Sequence, residues 1–155
     1  MHTINLFLAT AFVISAQSIP SEMVGTWTSS EVRTTQFRDR AGASARPSGA
    51  IIKYRISADG QYREDTLIQT SMYNCTDVVS VAETGTVRVD GASLIFESSG
   101  AHLTSQDNCN ARFNYSKQIP PAKRTFTPWL IRNGSSGQEL CMADSKTHTC
   151  YKREN

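Results

Sequence analysis

After residue 20 the chain alternates between apolar and polar residues with a period of two, and helical periodicity is hard to find. Ile52, Tyr54 and Ile56 alternate with Lys53, Arg55 and Ser57, then run into Asp59-Gly60, a dipeptide suited to a tight hairpin. Residues 61–73 form a second extended run, with Tyr62, Glu64, Thr66 and Ile68 sharing one face. Thr84 to Val89 leads into Asp90-Gly91, and Ser93 to Glu97 returns. Ser98-Ser99-Gly100 and Asp107-Asn108-Cys109-Asn110 read as further breaks, followed by an extended Arg112 to Ser116. Ile119-Pro120-Pro121 forces another break, because proline offers no donor to a ladder. Thr125 to Arg132, Glu139 to Ala143 and Thr149 to Arg153 complete the series. From Asp90 onward, turn signals recurring about every 9–14 residues predict an all-β fold of about eight to ten antiparallel strands. An up-and-down β-barrel is the first expectation and a β-sandwich the alternative. Arg38 to Gly49 lacks any apolar period and reads as a long loop between a first strand and the strand at Ile51.

The N-terminal segment differs from this pattern. Ile4 to Ile14 is apolar over 11 residues, too short to span a bilayer, which takes about 20. It fits the apolar region of a secretory signal peptide covering residues 1–16, with cleavage possible as late as 18. Residues 17–155 are then a single exported domain, long enough to bury one core and without a membrane span. Cys75, Cys109, Cys141 and Cys150 make an even count, which in an exported chain implies two disulfides. Of three possible pairings, Cys75–Cys109 with Cys141–Cys150 is favoured, because the second pair flanks the turn-like Asp144-Ser145-Lys146-Thr147. Chain entropy assigns them roughly 4 and roughly 3 kcal/mol. No CxxC occurs and only His148 lies near a cysteine, so the cysteines are not read as a metal site. Three sequons occur, at Asn74, Asn114 and Asn133; the Asn, Ser and Thr content alone gives about one or two, so three is no evidence of glycosylation.

The net charge of +2, from 16 basic and 14 acidic residues, excludes nucleic-acid binding by phosphate neutralisation. The charge is uneven: residues 64–109 carry seven acidic groups and one basic one. Motifs for catalysis are missing. No Gly-x-Ser-x-Gly, His-Glu-x-x-His or phosphate loop occurs, and His102 and His148 lie in polar, loop-like contexts. The adjacent Glu64 and Asp65 point to opposite faces of a strand and do not make a working pair. The expectation is a protein without catalytic residues or cofactor.

Met23-Val24-Gly25-Thr26-Trp27-Thr28, directly after the signal region, resembles the Gly-x-Trp start of lipocalins and other calycin-type barrels. The resemblance implies a sheet rolled around a hollow middle. Trp27 would plug one end, with an Arg from a late strand stacked across it. Arg153 fits that Arg by type and position, and Lys152 is a weaker match. Thr76-Asp77 is followed by Val78, so the family's second motif is partial, and no C-terminal helix follows the last strand. The function implied is a secreted, monomeric binding protein for a small apolar or amphipathic ligand. Tyr54, Tyr62, Glu64 and Trp129 are the candidate lining residues, with Thr125, Thr127 and Ile131 on the face of Trp129. Glu64, facing inward, is either a polar anchor for a ligand or the partner of an inward Arg. Two other readings stand beside this one. The first is a secreted inhibitor, adhesin or effector displaying Arg38 to Arg46 to an extracellular protein. The second is an enzyme with Glu64 or Glu97 beside His102.

Overall fold

The computed structural model describes residues 19–33, 48–72 and 74–154, and the protein is all-β. The signal segment 1–16 and the Arg38–Arg46 stretch lie outside the described residues. Ten strands form one antiparallel sheet: β1 (Gly25–Arg33), β2 (Ser48–Ile56), β3 (Gln61–Met72), β4 (Cys75–Asp90), β5 (Ser93–Asp107), β6 (Tyr115–Ile119), β7 (Lys123–Phe126), β8 (Trp129–Gly134), β9 (Gly137–Ala143) and β10 (His148–Arg153). Their order is β6-β5-β4-β3-β2-β1-β10-β9-β8, with β7 also on β5. β2 starts at Ser48, three residues before the strand expected at Ile51.

The sheet is a single meander, so the sandwich alternative does not apply, and its ladder is not closed into a barrel. Its two ends meet at one point. β7 pairs Phe126 with Leu94 of β5, and β8 begins at Trp129 opposite Met142 of β9. Between them Thr127 donates its N–H to Ala143 O at 2.6 Å, and its hydroxyl lies 2.7 Å from that of Ser93. The expected strand Thr125 to Arg132 is therefore two strands. Arg124 and Phe126 share the core face of β7, whereas Trp129 and Ile131 hold it on β8. Thr125 and Thr127 are exposed and do not share the face of Trp129. The alternation changes phase across Thr127-Pro128, where proline withholds a ladder donor.

A second expected break is a bulge. Gly85 pairs with Ser98 and Thr84 with Gly100, so Ser99 is an extra residue and β5 continues to Asp107. Ser99 Oγ donates to Thr84 O at 2.9 Å, and Gly100 takes φ +132°. Gly85 on the facing strand is required: a Cβ there would sit 2.2 Å from Glu97 O. Gly85→Ala is expected to cost about 2 kcal/mol through forced backbone movement, read as a drop in urea midpoint at unchanged m-value.

The expected disulfides Cys75–Cys109 and Cys141–Cys150 are both formed. The first ties the start of β4 to the turn after β5. The second joins residues directly opposed on β9 and β10. Cys141, His148 and Cys150 each place a ligand atom within 4.8 Å of the others, but both sulfurs are used in the bond.

The inner face changes character halfway along the long strands. At the Trp27 end it is filled by Trp27, Tyr54, Phe96, Leu94, Leu140 and Met142, all buried. The rings of Tyr54, Tyr62, Phe96 and Tyr151 meet at tilted and edge-on angles, 4.9–6.5 Å between centroids. The hollow middle expected from the resemblance is thus occupied by side chains over this half. β4, at 16 residues about 50 Å long, outruns that core together with β3 and β5. On the same face beyond it, Ile68 is 43% and Met72 63% exposed.

Candidate functional site

The filled end is organised around Trp27. Its indole N–H donates to Met23 O at 2.8 Å, fixing the ring beneath the single-turn helix Ser21–Met23. Trp27 and Arg153 are register partners on β1 and β10, and the guanidinium carbon lies 5.3 Å from the indole centroid. Arg153 also donates to Val24 O and to Gln138 Oε1, both at 2.8 Å. Gly25 has φ +144°, and a Cβ there would come 3.3 Å from Arg153 Nη2. The glycine of Gly25-Thr26-Trp27 thus leaves room for the cation stacked on the tryptophan.

A polar cluster lies where the filled core stops. Cross-strand register places Tyr54 of β2 opposite Glu64 of β3, and Glu64 opposite Glu83 of β4. Two carboxylates side by side on one face repel unless a cation joins them. That cation is Arg124 of β7, which reaches across β5 past the Phe96 ring and over Ala101, the small residue opposite Glu83. Its Nη2 donates to Glu64 Oε2 at 2.6 Å and to Glu83 Oε1, and its Nη1 to the Tyr54 hydroxyl at 3.4 Å. The Tyr62 hydroxyl donates to Glu83, and Thr66 Oγ1 to Glu64 Oε1 at 3.1 Å. Tyr54 and Tyr62 are almost fully buried, whereas the Arg124 side chain is 34% exposed.

Burial raises the Tyr54 hydroxyl well above its ordinary value, and the Glu64 carboxylate adds to the effect. Burial and the bond to Glu83 push Tyr62 up to about 12, and burial with Glu64 raises Tyr151. Burial works against the charge on Arg124, but Tyr54, Glu64 and Glu83 outweigh it and hold the guanidinium firmly protonated. The raised phenols give an alkaline signature. Their stabilisation is whole below the unfolded value near 10 and is lost as pH rises through the folded values. Ultraviolet titration should show these three phenols ionising late and together with unfolding. Three phenols titrating near 10 in the folded protein would contradict the cluster.

Of the lining residues expected, Tyr54, Tyr62 and Glu64 converge here, and of the two roles considered for Glu64, ligand anchor or partner of an inward Arg, the second has its Arg in Arg124. Trp129 is half-buried on the same inner face but packs against the core from β8, opposite Met142. Glu83 and Arg124 were not singled out from the sequence. Glu83 lies on a stretch of β4 without clean alternation, and Arg124 three residues past the prolines. Asp65 faces the other way, where Arg63 and Arg55 hold its carboxyl below the usual value. Glu97 pairs with Lys123 and Arg88, whereas His102 bonds Ser116 and Gln118. Glu64 and His102 lie on opposite faces of the sheet. These groups do not assemble into the acid–base pair considered for an enzyme.

Beyond the cluster the inner face presents Thr66, Val79, Val81 and Leu103, each half-buried. A cavity of about 390 Å³ opens at its rim, lined by Ala50, Ile68 and Thr70 among others. Among the described residues no helix is long and apolar enough to cross a membrane. No protein-family model, curated protein or solved structure matches this chain.

Proposed function

We propose that this chain is an exported, lipocalin-like binding protein that seats a small amphipathic molecule and performs no reaction on it. In this reading the sheet is a calycin-type roll, plugged at the Trp27 end and open at the other. Ile52, Thr66, Ile68, Val81 and Leu103 form the wall, and the Glu64–Arg124–Glu83 cluster forms the floor. The observation that carries the reading is the change along one face, from filled core through a half-open ion cluster to uncovered aliphatic side chains. Apolar walls with a few placed polar groups are the usual build of small-ligand sites. Burying two carboxylates and a guanidinium is a poor route to stability compared with apolar packing, which favours a recognition role for them. The disulfides and the apolar N-terminal segment support export.

The test is titration of the purified protein with hydrophobic fluorophores and extracted lipids. Saturable binding is expected, weakened at least about tenfold by Val81→Arg at unchanged circular dichroism. A full panel without saturable binding would remove the reading. A second reading, docking of an extracellular protein, is favoured by the opposite face. There Ile51 and Leu67 are register partners, 42% and 43% exposed, beside Val32 at 64%. A pull-down from extracellular extract that Ile51→Thr with Leu67→Thr abolishes, at unchanged Tm, would decide for it.

A further inference from the structure

The charges on the inner face point to the chemistry of the ligand's polar end. Along β3 to β7, register places Glu64, Asp77, Glu83 and Asp107 on that face against Arg124 and Lys117. The four acids outnumber the two bases, and the excess occurs at both depths. At the floor, one guanidinium serves two carboxylates, since Arg124 Nη2 alone bonds both Glu64 and Glu83. The hydroxyls of Tyr54 and Tyr62 bring no compensating positive charge. At the mouth, Asp77 takes a hydrogen bond from Ser105 Oγ at 3.4 Å, and Asp107 accepts from the N–H groups of Cys109 and Asn110. All three donors are neutral, so these bonds bring no positive charge to either carboxylate. Lys117 lies 5.6 Å from the centroid of the Tyr115 ring, on β6 at the sheet's edge.

We propose that the open half of the inner face binds an organic cation, an alkyl chain ending in an ammonium group. The aliphatic wall takes the chain, and the surplus carboxylates take the charge. This rests on the binding reading above and adds to it the sign of the head group. A carboxylate or sulfate head is disfavoured on the same grounds, because it would add a charge to a face already in acidic excess. Opposite charges focused by low-dielectric walls attract more strongly than in water. Part of that attraction is screened by added salt.

The experiment compares three probes sharing one chain length, octyltrimethylammonium, octanol and octanoate, by titration calorimetry on the full-length protein. The cation is expected to bind at least about tenfold more tightly than the alcohol, a difference of about 1.4 kcal/mol, and octanoate the least. Raising the salt concentration should weaken the cation and leave the alcohol unchanged. Asp77→Asn, at the mouth and outside the ion cluster, should lower the cation's affinity several-fold without altering the alcohol's. Glu83→Gln should do the same where it folds. Equal affinity for all three probes, or preference for octanoate, overturns the inference and leaves the binding reading standing. Binding of none of them overturns both.

Discussion

Trp27→Ala is expected to cost about 4 kcal/mol, the usual range for removing a large aromatic from a packed core. The ring is fully buried, and three interactions depart with it. Met23 O loses the indole N–H, Arg153 loses the surface it stacks on, and the single-turn helix above loses its support. Cavity and transfer terms dominate, because a cation over an indole is worth only about 0.5–2 kcal/mol. Two milder variants separate the parts. Trp27→Phe keeps most of the volume and should cost about 1–2 kcal/mol, mainly the hydrogen bond and the carbonyl it strands. Arg153→Met should cost about 1 kcal/mol, since the chain still covers the ring. Urea denaturation reads all three. A midpoint for Trp27→Ala within the spread of surface substitutions would show that this end of the sheet is not packed as described.

Arg124→Met is the second large effect, about 3 kcal/mol at neutral pH. Removing one partner of a shielded ion pair strands the other, and here it strands two carboxylates on adjacent strands. The figure is at the low end of the range because the guanidinium is partly open to water. The pH dependence identifies the cause. Without Arg124 the two neighbouring carboxylates repel each other in a half-buried place, and neutralising either one relieves the repulsion. The deficit of the variant should therefore shrink on acidification to about pH 4. Glu64→Gln and Glu83→Gln added to Arg124→Met should recover most of the loss at neutral pH. A deficit that ignores pH, or is not relieved by the two glutamines, would mean that packing rather than charge is the role of Arg124.

These two sites show how far the residues can be read without coordinates. Period-two alternation gave β2, β3 and the last strands, since a face that packs against a core needs apolar residues at every second position. Cysteine number and one turn gave both disulfides. Tyr54, Tyr62 and Glu64 were placed on one face by the same alternation, and Glu64 was read as either a ligand anchor or the partner of an inward Arg. Which cation was hidden, because Arg124 follows two prolines and the strand phase changes again at Pro128. Glu83 was hidden for another reason. From Cys75 to Glu83 the inner positions mix Val79 and Val81 with Asp77 and Glu83, and the outer ones mix Val78 and Ala82 with Thr76 and Ser80, so neither face is consistently apolar and the period-two signal is weak there. Ser98-Ser99-Gly100 looked like a turn because bulges and turns draw on the same small residues. The split of the late strand was the least legible feature. Nothing local in Thr125 to Arg132 records that one half belongs to β5 and the other to β9.

The neighbours of β1 come from opposite ends of the chain, β2 beside it and β10 from the far terminus. Adjacent hairpins from β2 to β5 can assemble as soon as their residues are available, because their contacts are short-range. The bond from Glu154 N to Thr26 O and the pairing of Trp27 with Arg153 must wait for residues 153 and 154 to be made. Closing so long a loop carries the largest entropy cost in the molecule and is taken as the late step of folding. Until then β1 is an exposed edge, able to pair with another chain. A nascent or truncated protein lacking residues 148–155 should therefore aggregate through Gly25–Arg33. Pulse-labelling hydrogen exchange should find the amides of β1 protected after those of β3 and β4.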